Sequence, residues 1–174
     1  MPSAYKALLV KPGLVESGVS DYILFASASD FTTIQCPPAG DVEITLAHVF
    51  ASGLGFMKLM CSPSKNKLSA ALQGEPGSLN IQQKLNIFVP GSKKELHKLI
   101  KLVKNDSLIV LVKDSDCDVN QYYQLGCDCN FAYFIGENGW ESGTTKDGQK
   151  GYNLTIEYPS TAIQIYSGAV TMHP

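Results

Sequence analysis

The chain has 174 residues, 44% hydrophobic and only 17% charged, with a formal net charge of −2. That length buries a real core and suits one domain over residues 1–174, and a charged fraction below the ~25% usual for soluble proteins leaves surface suited to touching other protein. All 14 basic residues are scattered lysines, which argues against a nucleic-acid footprint and removes the arginine fork that most phosphate-handling enzymes use.

Residues 5–10 read as a first strand ended by Pro12-Gly13, 21–26 as a second, and 32–35 as a third before Pro37-Pro38. Residues 42–49 alternate apolar and polar at period two, as a half-buried strand does. Turns at 52–55 and 63–66 lead into strands at 56–61 and 68–72, and Gly74-Glu75-Pro76-Gly77 is a loop. Leu85 to Val89 is a short strand closed by Pro90-Gly91. Ser92 stands three residues before Glu95, the spacing of a capping box, and Leu96, Leu99, Ile100 and Val103 follow on one helical face. A helix is therefore expected over about residues 92–104, its other face kept wet by five lysines and its end marked by Asn105-Asp106. The apolar run 107–113 is too short for a second helix and reads as a buried strand. Strands follow at 122–126 and 130–135, then a long loop at 136–151 rich in Gly, Ser, Thr, Lys and Asp, then strands at 152–158 and 162–166. About ten short strands and one helix predict a mainly β sandwich or barrel with a flanking helix.

No apolar run reaches the roughly 18 residues of a membrane span, and the N-terminus lacks a secretory pattern. Five cysteines, an odd number without framework spacing, are expected to be reduced thiols of a protein made in a cytosol. The run from Asp114 to Asn120 opens like a calcium loop, but Val119 and Leu125 occupy the positions where that loop needs glycine and glutamate. Cys127 and Cys129 would share a face if extended, with Cys117 nearby, yet no further ligands stand at zinc-like spacing, so no metal and no cofactor is expected. His48, His97 and His173 stand apart, and no nucleophile elbow or phosphate-binding glycine motif occurs. The 136–151 loop exceeds an ordinary connection and holds Trp140, the only tryptophan. It is expected to be an inter-subunit arm, with Trp140 as anchor and Lys146, Asp147 and Lys150 at the rim.

The segments 88–103 and 108–116, Tyr123-Gln124-Leu125-Gly126, Ser142-Gly143-Thr144, 147–152 and Leu154-Thr155-Ile156 resemble small virion proteins of tailed bacteriophages. His48-Val49-Phe50 and 53–58 extend the likeness upstream, so that it covers about residues 45–170. The family is that of tail-tube and head–tail connector proteins, including those of crAss-like phages. The resemblance implies a tail-tube-like β-sandwich without enzymatic activity, assembled in a virion as a ring of copies of itself. Neighbouring connector or tail proteins would be its other partners, with no specific nucleic-acid sequence and no membrane. The alternatives are a capsid-decorating or carbohydrate-binding module, or a metal-dependent hydrolase on the same sandwich.

Overall fold

The computed structural model describes residues 18–62, 64–114, 121–136, 139–143 and 148–174. The expected strand at 5–10 and the acidic turn at 115–120 lie outside the described residues. Within them the chain is mainly β. The centre is an antiparallel pair, β1 (Val19–Ser27) and β8 (Leu108–Asp114). Around it stand β3 (Glu43–Ile44), β5 (Met57–Met60), β9 (Tyr122–Leu125) and β13 (Gln164–Tyr166). They make a six-stranded sheet in the order β3-β13-β9-β8-β1-β5, with β3 and β13 parallel. A second sheet runs β10 (Tyr133–Ile135), β12 (Gly151–Ser160), β7 (Asn80–Pro90), β6 (Lys67–Gln73), and β11 (Trp140–Glu141) adds to β12. A separate ribbon joins β2 (Phe31–Thr33) to β4 (Val49–Phe50).

Period-two patterning decides which side chain goes where. In β1, Ile23 and Phe25 face the second sheet, while Leu24 and Ala26 face the other way. In β8, Leu108, Val110 and Val112 take the first side, Ile109 and Leu111 the second. The two strands are thus buried on both faces, which is why β8 reads as an unbroken apolar run. On one side they meet Leu85, Ile87, Val89, Ile156 and Tyr158 of β7 and β12. On the other they meet a layer built from Phe56, Ile44 and Tyr166, backed by Phe31 and Phe50. Each such aliphatic side chain contributes roughly 1.5–3 kcal/mol on full burial.

The helix α1 spans Lys94–Val103, two residues later than the expected start. Its N-cap is Lys93, and no side chain caps it, so the Ser92–Glu95 box does not form. The entry is fixed instead by main chain: Gly91, at φ +124°, donates its N–H to the Lys150 carbonyl at 2.9 Å. Val103 is buried, and Leu96 and Leu99 pack against the same core. Leu102, one residue before Val103, is 72% exposed.

The expected single strand at 42–49 is two pieces in different sheets. Ile44 closes onto β13, where its carbonyl accepts the Ser167 N–H at 2.9 Å. The chain then leaves that edge to bury His48, and Val49 resumes pairing in the ribbon with β2. Alternation in the sequence survives the break because His48 is buried for its hydrogen bonds rather than as part of a ladder.

Candidate functional site

β6 and β7 form an antiparallel hairpin in register from Lys67↔Asn86 to Gln73↔Asn80. Leu68, Ala70 and Leu72 lie on one face of β6, opposite Leu85, Gln83 and Ile81 of β7. At the base this face belongs to the core: Leu85 and Gln83 are fully buried and Leu68 packs against the cluster. Towards the tip the same apolar stripe runs out of the body, and Leu72 is 68% and Leu79 51% exposed. Residues 70–80 are all exposed, with Glu75 their one charge. Among the described residues no strand pairs with the outer edge of β6. Natural edge strands are usually blunted by charge, proline or a bulge, and β6 beyond Lys67 has none of these. Where the hairpin leaves the body, a cleft of about 290 Å³ opens between Leu68–Ala70 and Val19, Tyr123 and Ile163. Gln83 lines it and its Oε1 has no hydrogen-bond partner.

The 136–151 segment is not loop throughout: Trp140 lies in β11, opposite Tyr152, and Glu141 lies opposite Gly151. Trp140 is 42% exposed, and its ring meets the edge of His97 on α1 at 5.9 Å. His97 Nδ1 is 2.6 Å from the Tyr152 hydroxyl, so helix and sheet are stitched together beside the tryptophan. Lys150 places its ammonium 5.8 Å from the Trp140 ring centre. Trp140 and Lys150 therefore stand together on one surface. Lys146 and Asp147 lie outside the described residues.

His48 is the centre of a buried polar network. Its Nδ1 accepts the Gln35 N–H at 3.0 Å, which leaves the proton on Nε2, 3.0 Å from Gln124 Oε1. The Gln124 amide then donates to the carbonyls of Gln35 and Gly126, at 3.1 and 2.9 Å. The imidazole stacks on Tyr166 at 4.8 Å, and burial lowers its pKa against the raising effect of Gln124. Every polar atom of the pair has a fixed partner, and the ring ties three segments into one layer.

The same glutamine explains a correction to the cysteines. Cys127 and Cys129 do not share a strand face, because 127–130 is a tight turn closed by Cys127 N–H to Asn130 O at 2.7 Å and the reverse bond at 3.2 Å. Gly126, at φ +104°, brings the chain so close to the Leu108 carbonyl that a Cβ there would sit 2.6 Å from it. Gln124 meanwhile holds the Gln35 carbonyl against β9, and the neighbouring Cys36 meets Cys127 in a disulfide with Cα atoms 5.7 Å apart. The expectation that all the cysteines are free thiols is overturned for these two, which are 91 residues apart in sequence. Cys61 is buried, its thiol pushed up to about 12 by desolvation, while Cys129 is exposed and raised by the Asp128 carboxylate. Cys117 lies outside the described residues.

Compared with protein-family models, curated proteins and solved structures, the chain matches none of them.

Proposed function

We propose that the chain is a structural subunit that joins copies of itself into a ring or tube, as tail-tube and head–tail connector proteins of tailed bacteriophages do. The observation that carries this reading is the β6–β7 hairpin, a continuation of the core stripe that no other described residues cover. Such a face is complementary to the β-rich surface of a second copy, and its unpaired edge adds main-chain hydrogen bonds. A contact between unlike patches closes into a ring when the rotation between subunits allows it. Completing the burial of Leu72 and Leu79, 68% and 51% exposed in the single subunit, would contribute on the order of 1–2 kcal/mol each at every contact. With one charge between residues 70 and 80, shape and main-chain pairing rather than ion pairs would set the register. The Trp140–Lys150 surface is a second contact in this reading, Trp140 as anchor and Lys150 at its rim. The role requires no chemistry of the subunit, and its setting is the virion, beside other connector or tail proteins.

Changing Leu72 and Leu79 together to lysine tests the reading in solution. Both side chains are exposed in the single subunit, so the variant keeps the wild-type circular dichroism and melting behaviour. Light scattering should find the wild-type chain in closed oligomers and the double variant as a monomer. Unchanged oligomers in the double variant would remove the hairpin from the interface.

A further inference from the structure

Asp128 lies inside the turn that delivers Cys127 to Cys36. Its Oδ1 is 3.1 Å from Cys36 Sγ and 3.4 Å from Cys127 Sγ, and its own N–H points at Cys36 Sγ from 3.3 Å. The two sulfurs and a carboxylate oxygen lie within 4.8 Å of one another. A backbone N–H aimed at sulfur and a carboxylate beside it are of no evident use to a neutral disulfide. They suit a sulfur that carries negative charge and shares a cation. A second observation stands in the adjoining cleft of about 340 Å³, lined by Cys127, Cys129 and Gln164. Gln164 is 7% exposed, donates its amide to the Tyr158 hydroxyl at 3.0 Å, and leaves Oε1 without a partner.

We infer that this cluster is a redox-gated site for a thiophilic divalent cation such as zinc, held by Cys36, Cys127 and Asp128 once the disulfide is reduced. A dithiol reductant gives two electrons and two protons to the disulfide, leaves as its own disulfide, and produces two thiols. The cation then displaces both thiol protons and binds two thiolates and the carboxylate. A zinc–sulfur bond is about 2.3 Å, so tetrahedral thiolates stand about 3.8 Å apart. With Cα atoms 5.7 Å apart, rotation about the two Cα–Cβ bonds reaches that separation without moving the backbone. The exposed Cys129, two residues on, is within the same turn as a source of the remaining ligand. The turn and β9 hold three donors on a fixed frame, the Cys36 side anchored through Gln35. Oxidised, the site is a cross-link; reduced, it is a metal cross-link between the same two segments.

The test is cobalt(II) titration of the full chain, once oxidised and once reduced with a phosphine that is removed under nitrogen. The reduced chain should take up one cobalt with thiolate-to-metal charge-transfer absorption, and the oxidised chain none. Asp128→Asn, which leaves both sulfurs and the disulfide in place, should weaken binding at least about tenfold, since even outer-shell losses cost that much. Cys36→Ser should abolish the charge-transfer intensity of one thiolate. Should Cys36→Ser fail to fold, the Asp128→Asn result decides alone. No cobalt uptake by the reduced chain, equal uptake by the oxidised chain, or unaltered affinity in Asp128→Asn would each overturn the site.

Discussion

His48 shows how much one side chain fixes in this protein. Its ring satisfies Gln35 and Gln124 only in the neutral form, because a second ring proton at Nδ1 would confront the Gln35 N–H. Burial holds its folded pKa below the 6.5 of a free imidazole, so the unfolded chain takes up the proton first as pH falls. The stability from neutral His48 is complete above the unfolded pKa and is lost as pH drops below it. Chemical denaturation should therefore show a midpoint that declines from neutral pH towards pH about 5, within the range where histidine titrates. His48→Leu should flatten that decline while costing about 1–3 kcal/mol at neutral pH, by stranding the Gln35 N–H and the Gln124 Oε1. A variant that declines as steeply as wild type would place the acid sensitivity elsewhere. Gly126 is another residue that resists substitution: at φ +104°, against the Leu108 carbonyl, Gly126→Ala should lower the melting temperature, whereas the same change at the open Gly139 should not.

Among the elements, α1 and β8 are legible in the sequence, the first from its helical period and single apolar face, the second from an apolar run that is buried on both faces. The spacing Leu96, Leu99, Val103 finds the face of α1, and the unbroken run at 108–112 marks a strand covered on both sides. Val103→Asp should unfold the domain, since it buries an unpaired charge, and Leu102→Asp, one residue away and 72% exposed, should be tolerated. Equal effects of the two on a urea denaturation curve would contradict the packing of α1. The start of β7 is less legible: Gln82 and Gln83 do not look like strand, yet both sit in the ladder, and Gln83 is wholly buried. The hairpin they complete was invisible as a protrusion, because nothing in 68–72 marks where the body beneath it stops. β11 is hidden for a related reason, since two residues of main-chain pairing leave no period to read. Trp140→Ala should change stability little, its ring being 42% exposed, and weaken subunit association if that surface is a contact. Association measured by sedimentation and found unaltered in Trp140→Ala would confine the contact to the hairpin.

For the molecule as a whole, the mainly β class follows from strand spacing, while its long-range ties do not. The Cys36–Cys127 link spans 91 residues and depends on Gln124 gripping Gln35, a relation no local pattern records. His48 finds Gln124 and Tyr166 in the same way, at sequence separations of 76 and 118. Among the described residues, a core closed between two sheets has an open end where its apolar stripe continues along β6 and β7 into solvent. In the proposed function a second copy covers that end and repetition closes a ring. Electron microscopy of the purified chain, imaged across a range of concentrations, addresses this most directly. A ring of copies gives class averages with one rotational symmetry, in which the hairpin of each subunit lies against the body of the next. Particles that remain single subunits at every concentration, or rings whose hairpins point free into solvent, would contradict it.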